Sequence, residues 1–157
     1  MTDAALILQA ADRAAQAHAG QTRKGGQVPY VNHVIEVARL VAEDGRSAET
    51  VAAALLHDVV EDTALTLDDL AREFGPGIAA LVGHLTDDPD WERRPRAERK
   101  RLQAAHIGTA PDAARVIKVA DQTSNVRDVG RLPEGWAPGE GAAYVAATAQ
   151  VVDACRD

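Results

Sequence analysis

The sequence has few of the features that mark a secreted or membrane-bound protein. It contains one cysteine, Cys155, which cannot form an internal disulfide, and this usage is typical of proteins in a reducing cytosol. Asp3 and Asp12 flank the apolar residues 6–8, so the N-terminal stretch is too polar for a signal peptide or a membrane span. We therefore expect a soluble, cytoplasmic protein, and a length of 157 residues predicts one domain, residues 1–157.

Net positive charge is also lacking, since 24 acidic residues outnumber 17 basic ones. The formal net charge is −7, which argues against a general nucleic-acid-binding protein. Residues 93–101 are the exception, since six basic residues and one glutamate give this segment a net charge of +5. The segment is either a solvated helix face or a site for a small polyanion. We expect a small molecule as partner, with no nucleic acid and no membrane, and a monomer or a homodimer.

The alternation of apolar and polar residues that is typical of strands is missing, and helical spacing runs through the chain. The sequence predicts an all-α fold, a single helical bundle of about eight helices. Capping residues, prolines and glycines indicate where the helices begin and end. The predicted helices cover residues 3–17, 32–44, 47 into the His57-Asp58 pair, 66–75, 76–85, 95–107, 111–129 and a last segment that includes Tyr144 and Val152.

His57 and Asp58 end an alanine-rich apolar run, and Glu61 and Asp62 follow within one helical turn. Buried carboxylates and imidazoles are costly unless a metal or a reaction uses them. If the helix continues for a turn, the four groups share one side of it. Three neighbouring acids repel one another as anions, and a divalent cation relieves that repulsion. The motif predicts a metal-dependent hydrolase site, in which two of the groups touch the metal and the others orient or deprotonate water.

Further metal ligands must come from distant parts of the chain. His33 opens the second predicted helix after a Pro-Tyr turn, and Asp121 lies beside the buried stripe of a later helix. With His57 and Asp58 they make a mixed nitrogen and oxygen set, which suits manganese, iron or zinc better than calcium or a structural thiolate site. Taken alone, Asp121 could equally be a helix cap or an ion-pair partner. The other three histidines are interpreted as structural: His18, His84 and His106.

The order of these motifs resembles that of the hydrolase part of RelA/SpoT proteins, in the HD-domain superfamily. The similarity is greatest to the small, free-standing alarmone hydrolases, which include the metazoan SpoT homologues. It covers nearly the whole chain, through residues 17–26, 29–33, 53–63, 73–75, 85–88, 98–103, 117–121, 125–128 and 133–136. The synthetase and regulatory domains of the long family members are missing, so alarmone synthesis is not expected.

The resemblance implies an HD-domain fold and removal of the 3′-pyrophosphate from guanosine tetra- or pentaphosphate, the alarmones (ppGpp and pppGpp) of the stringent response. The products would be GDP or GTP and pyrophosphate. By the same resemblance, manganese is bound by His33, His57, Asp58 and Asp121, and Glu61 and Asp62 position and activate water. The implied substrate-binding residues are Arg23 and Lys24 in a nucleotide-binding loop, Thr86, Lys100 at the 5′-phosphates, Asn125 at the nucleoside and Tyr144 at the sugar or base.

The chain departs from the family's pattern at several positions beside the site. Val34 replaces the usual proline, which changes little. Residues 122–124 read Gln-Thr-Ser, where relatives carry a cation and a bulky pair. Glu140 stands one turn before Tyr144, where metazoan relatives have an arginine that contacts a 5′-phosphate. Substrate preference therefore stays open between ppGpp, an adenosine analogue of it and the 2′-phosphate of NADPH, and a non-hydrolytic nucleotide-binding regulator is the alternative to an enzyme.

Overall fold

The structure is a computed structural model that describes residues 1–156, and within this range it contains helices, turns and one isolated β-bridge between Thr22 and Pro29. Eight α-helices have at least eight residues and a ninth has four: α1 (Asp3–Ala17), α2 (Val31–Glu43), α3 (Ala48–Leu55), α4 (Val59–Asp62), α5 (Leu67–Phe74), α6 (Pro76–Leu85), α7 (Arg96–Ile107), α8 (Asp112–Arg131) and α9 (Glu140–Ala154). Short 3-10 helices span Pro89–Arg93 and Pro133–Gly135. The all-α prediction is confirmed. No helix among residues 1–156 combines the length and the apolar character needed to cross a membrane.

Side-chain capping sets the predicted start of two helices. The Ser47 hydroxyl accepts a hydrogen bond from the backbone in the first turn of α3. Thr66 and Asp69 form a reciprocal capping box at the start of α5. The prediction for α2 was less accurate, because this helix begins at Val31 and Asn32 is not its cap.

The helix predicted from Ser47 through the His57-Asp58 pair does not form as one piece, and that prediction is wrong. α3 ends at Leu55, and the pair lies in a turn before the single-turn α4. The physical reason is visible at the carbonyl of Ala54, which accepts a hydrogen bond of 2.7 Å from Nδ1 of the His57 ring. The ring thus occupies an acceptor that the continuing helix would need, and insertion of a side chain into the helical hydrogen-bond ladder ends or bends a helix.

α3 lies at the centre of the bundle, where it packs against α1, α2, α6 and α8. Its residues 50–55 are all buried, and the short alanine side chains among them allow neighbouring helices to pack closely. Helices from both ends of the chain share one core, since Ala10 of α1 and Val151 of α9 belong to the same buried cluster. Because α2, α3 and α8 pack against one another, side chains at their facing positions are brought together.

Candidate active site

Four side chains from these three packed helices converge at one buried point: His33 of α2, His57 and Asp58 just after α3, and Asp121 of α8. The Nε2 atom of His57 lies 3.0 Å from Asp58 Oδ2 and 3.3 Å from Asp121 Oδ1. The Nε2 atom of His33 lies 3.1 Å from Asp121 Oδ1 and 3.5 Å from Asp58 Oδ2. One ligand atom from each residue lies within 4.8 Å of all the others. The fold thus brings together all four residues predicted as metal ligands.

These atoms have the spacing and chemistry of a divalent-metal site. Two ligands about 2.1 Å from one ion and at right angles to each other are about 3 Å apart, close to the separations seen here. Nδ1 of His57 faces a carbonyl that can only accept, so this nitrogen carries a proton and Nε2 is the atom that can present a lone pair to a cation once its own proton is lost. The buried Nε2 of His33 has no partner in hydrogen-bond geometry, although Asp121 lies close. Such an orphaned inward-facing nitrogen fits a metal ligand.

The imidazoles and carboxylates of this cluster attract each other strongly, and this attraction changes their pKa values. Burial would lower the pKa of His57, but the carboxylates of Asp58 and Asp121 outweigh it and hold that pKa well above its ordinary value. Burial would likewise raise the pKa of Asp58, but the rings of His57 and His33 hold it well below its usual range. Because a histidine binds a metal through a neutral nitrogen, these imidazoles must release protons when the cluster binds a cation.

Three residues that the sequence reasoning did not assign hold the ligands in place. The Tyr30 hydroxyl donates a hydrogen bond of 2.6 Å to Oδ2 of Asp58. The Gln122 amide donates one of 2.9 Å to Oδ2 of Asp121. Oγ of Ser124 lies 2.9 Å from Nδ1 of His33. Contacts of this kind orient metal-binding groups and tune their basicity.

Glu61 and Asp62 lie on α4, at the edge of a cavity of about 240 Å³ that opens onto the metal-ligand cluster. Desolvation of its carboxyl, together with the carboxylates of Asp58 and Asp87, raises the pKa of Glu61, and the backbone N–H of Asp87 donates a hydrogen bond to it. Desolvation and Asp58 also raise the pKa of Asp62. A carboxylate with a raised pKa beside a metal site is suited to accept a proton from water.

Another part of the lining of this cavity is basic and comes mainly from α7, which the sequence marked as a basic segment. Its cationic side chains are Arg96, Arg99 and Lys100 of α7 and Lys118 of α8. Lys100 is buried, and its ammonium donates a hydrogen bond of 2.7 Å to the Gln122 side-chain oxygen. Burial, with a contribution from Lys118, lowers the pKa of Lys100 to about 8. One cavity therefore combines a metal-ligand set, an acidic edge and a cationic wall.

A second cavity, of about 180 Å³, adjoins the first, since Asn125 and Tyr144 line both. Its other walls include Arg23 and Lys24. Arg23 donates from Nε to Asp128 at 2.6 Å and from a terminal nitrogen to Asn125 at 2.7 Å. Its guanidinium lies 5.3 Å from the centre of the Tyr30 ring, so these contacts fix the plane of the cation.

Lys24 is placed by a close approach between the loop that follows α1 and the short 3-10 helix Pro133–Gly135. Its ammonium lies over the Trp136 ring, 4.1 Å from the ring centre. A Cβ on the neighbouring Gly135 would come within 2.6 Å of the Lys24 Cβ, so only glycine allows this packing. The Trp136 and Tyr144 rings are 5.0 Å apart and continue the aromatic wall towards the first cavity.

One predicted substrate-binding residue is placed differently. Thr86 follows α6 directly, and its hydroxyl donates to the Val82 carbonyl at 2.8 Å. Its neighbours Leu85 and Asp87 line the first cavity, and Thr86 is not part of that wall. The eleven other predicted site residues all lie in the ligand cluster or in the walls of the two cavities.

Comparison with known proteins agrees with this arrangement. Residues 10–137 match the model of the family described as HD domain. The chain is 40% identical to guanosine-3′,5′-bis(diphosphate) 3′-pyrophosphohydrolase MESH1 of Xenopus tropicalis, over 99% of this chain and 87% of that protein. It is 42% identical to the Homo sapiens protein of the same name, over 96% and 85% of the two chains.

A solved structure gives the same result in three dimensions. It is described as a metazoan ortholog of SpoT that hydrolyzes ppGpp, and it superposes with a TM-score of 0.88 and 37% identity, covering 97% of this chain and 86% of the other. Sequence, fold and ligand cluster agree, and the chain belongs to the HD-domain family, among the relatives of metazoan SpoT.

Proposed function

We propose that this protein is a metal-dependent guanosine 3′,5′-bis(diphosphate) 3′-pyrophosphohydrolase. The observation that carries the proposal is the buried set of two histidines and two aspartates, in which the imidazole Nε2 atoms lie 3.0–3.5 Å from the carboxylate oxygens. This set lies beside a cavity that is lined by acidic residues and by cationic side chains. The named relatives, which span nearly the full chain, support the same activity. Phosphoryl transfer needs positioning and neutralisation of charge, and this cavity offers both.

Manganese is the metal that we propose for the cluster, held by His33, His57, Asp58 and Asp121. Two imidazoles and two carboxylates form a donor set that manganese accepts, and the resemblance to alarmone hydrolases points to the same ion. When bound, the ion supplies positive charge against the reacting phosphoryl group and makes water more acidic. The hydrogen bonds from Tyr30, and those to the other ligands, keep the donor atoms aimed at one point.

In the proposed reaction, the oxygen of a water molecule bonds to the phosphorus next to the ribose. The bond from that phosphorus to O3′ breaks, and O3′ takes up a proton and becomes the 3′-hydroxyl of the ribose. The products are GDP and pyrophosphate. Glu61 is placed at the cavity edge to accept the proton that water loses, and its raised pKa suits it to return a proton afterwards. Asp62, one residue further along α4, orients the attacking water.

The nucleoside is proposed to lie across the two adjoining cavities. Asn125 and Tyr144 line both of them and so can contact the sugar and the base. Arg23, with its edge held by Asp128, offers a fixed cationic face on which a purine can stack. Lys24 and Lys100 supply positive charge for phosphates.

Three further expectations accompany this proposal. Thr86 is proposed to act at the substrate through its place between the lining residues Leu85 and Asp87. The shared core of α1 and α9 supports one domain over residues 1–157. Cytoplasmic location, and a monomer or a homodimer as the oligomeric state, stay predictions.

A panel assay tests the proposal. Manganese-loaded protein would be incubated separately with guanosine 3′,5′-bis(diphosphate), its adenosine counterpart and NADPH, and the products identified by chromatography. We expect GDP and pyrophosphate from the guanosine substrate at the highest kcat/KM. If the adenosine compound or NADPH is turned over faster, that compound is the substrate and the guanosine assignment is wrong. Tight binding of all three without turnover would replace it by a nucleotide-binding role.

A further inference from the structure

Glu140, the first residue of α9, connects two cations from distant parts of the chain. Its Oε1 lies 3.4 Å from the ammonium of Lys24, in the loop between α1 and α2. Its Oε2 lies 3.3 Å from the guanidinium of Arg96, at the start of α7. The backbone N–H of Ala137 also donates to Oε1, at 3.2 Å. One carboxylate therefore ties together three segments that border the two cavities.

The two cations lie on the aromatic wall shared by the cavities. Lys24 stands over the Trp136 ring, 4.1 Å from its centre. Arg96 stands over the Tyr144 ring, 5.6 Å from its centre, and Lys100 lies 4.5 Å from the same centre. Among the cations that line the two cavities, Lys24, Arg96 and Lys100 are the ones that lie against the Trp136 and Tyr144 rings. Two of these three are paired with Glu140.

The charge on Glu140 persists at neutral pH. The Ala137 N–H and the Lys24 ammonium hold the pKa of its carboxyl below the ordinary value. An incoming phosphate at Lys24 or Arg96 must therefore compete with an ionised carboxylate for the same cations. Lys100 is different, because its hydrogen-bond partners, the Gln122 side chain and the Tyr144 hydroxyl, are neutral.

We infer that Glu140 is a specificity-determining residue that limits how many phosphates the site accepts at the 5′ end of its nucleotide. The inference rests on the proposed function, in which the 3′-diphosphate points at the metal ligands. The nucleoside then spans Asn125 and Tyr144, and a chain of 5′-phosphates extends towards the cationic rim. The first phosphates meet Lys100, whereas a further phosphate brings its charge towards Glu140. A substrate with a 5′-diphosphate is preferred over the same substrate with a 5′-triphosphate.

The test compares two substrates that share the 3′-diphosphate and the guanosine and differ only in a 5′-diphosphate or a 5′-triphosphate. In the Glu140→Gln variant, which keeps an acceptor for the Ala137 N–H, kcat/KM for the triphosphate should rise about 2- to 5-fold relative to the diphosphate, the size of one exposed charge interaction. Glu98→Gln is the matched control, because Glu98 of α7 pairs with Arg94, just before that helix, and with Arg101, and none of the three lines either cavity. This variant should leave the ratio unchanged.

The inference is overturned if Glu140→Gln leaves the ratio of the two kcat/KM values unchanged, lowers it, or changes it no more than Glu98→Gln does. Failure of the proposed function has a different signature, since wild-type protein would then release pyrophosphate from neither substrate. In that event the role of Glu140 is tested by calorimetry, which compares the affinities of GTP and GDP for the wild-type protein and the Glu140→Gln variant. A larger gain in GTP affinity than in GDP affinity in Glu140→Gln supports the role of Glu140, and equal affinities in the variant and the wild type refute it.

Discussion

The hydroxyl of Tyr30 donates a hydrogen bond of 2.6 Å to the same Oδ2 atom of Asp58 that lies 3.0 Å from Nε2 of His57. The tyrosine closes the loop before α2, whereas the aspartate follows α3, so this contact joins two separate segments at one ligand atom. The partly buried phenol stays protonated, because desolvation and the neighbouring Asp58 and Asp62 carboxylates raise the pKa of Tyr30. Asp58 is thus held in one rotamer by a permanent donor.

Tyr30→Phe should weaken metal binding while leaving the fold intact. The variant keeps the ring, including its contact with His18 at 4.9 Å between centres, and removes only the donor to Asp58. We expect the affinity for manganese to fall by about 10- to 100-fold, the usual effect of losing a hydrogen bond to a metal ligand. Titration calorimetry with manganese measures it.

Tyr144→Phe serves as the control for that experiment. This variant also removes the hydroxyl of a partly buried tyrosine, but the Tyr144 hydroxyl lies 3.5 Å from the Lys100 ammonium and forms no hydrogen bond with the four ligand residues. Manganese affinity should therefore be unchanged. Equal losses in the two variants would mean that Tyr30 supports the cavity in general and has no particular effect on Asp58.

Asp58→Ala and Glu61→Gln should separate metal binding from turnover. Asp58 lies inside the ligand cluster, so its loss should remove bound metal and activity together. Glu61 lies at the cavity edge outside the cluster, so Glu61→Gln should keep the metal while kcat falls by about 100- to 10,000-fold, the range typical of a lost general base. Metal content by mass spectrometry and a pyrophosphate-release assay provide the two measurements. If Glu61→Gln protein purifies without metal under the same conditions, the division of roles is wrong.

KM should rise with pH on the alkaline side because of Lys100. Its pKa is lowered to about 8, so the ammonium is charged below that pH and loses its proton above it. At pH 9 about one tenth of the lysine stays charged, and KM should be roughly 10-fold higher than at pH 7 if the charge binds a phosphate. Lys100→Met should show a raised KM that no longer changes over this interval. A wild-type KM that stays constant from pH 7 to pH 9 would exclude the contact.

Much of the fold could be predicted because local signals agree with the final packing. Ser47 and Thr66 cap the helices that the sequence assigns to them, and α1 has the predicted limits. The break after α3 could not be predicted in the same way. It depends on a hydrogen bond from the His57 ring to the Ala54 carbonyl, and residue types alone do not say which acceptor a buried ring will choose.

The ligand residues stood out because a buried acid or imidazole is costly without a partner. Their supporting residues carry no such signal. Gln122 and Ser124 are ordinary polar residues in a long helix. Ser124 reaches His33 only through the packing of α8 against α2, and the contact of Gln122 with its neighbour Asp121 depends on a side-chain conformation that residue types do not specify. Their position is the one available hint, since both lie within three residues of the predicted ligand Asp121.

Asp128→Asn should impair both stability and nucleotide binding through Arg23. The buried Asp128 carboxylate accepts from Arg23 at 2.6 Å and, with its other oxygen, from Arg131 at 2.6 Å. Asparagine keeps the shape but has one acceptor oxygen and no charge, so the free energy of unfolding should fall by roughly 1.5–3 kcal/mol, the size of a hydrogen bond to a charged group. Without the full contact to Asp128, the guanidinium plane of Arg23 is no longer fixed for stacking on a purine. The KM for the nucleotide substrate should therefore rise while kcat changes little.

Denaturant unfolding and steady-state kinetics check the two effects of Asp128→Asn, and Asp153→Asn is the matched control. Asp153 pairs with Arg156 at 3.5 Å in an exposed position, so its loss should change stability by less than about 0.5 kcal/mol and leave KM unaltered. Arg23→Lys is the complementary variant, because lysine retains the charge but not the planar face. If Arg23→Lys keeps the wild-type KM, charge alone is sufficient at this position, and the orientation imposed by Asp128 has no role in binding the nucleotide.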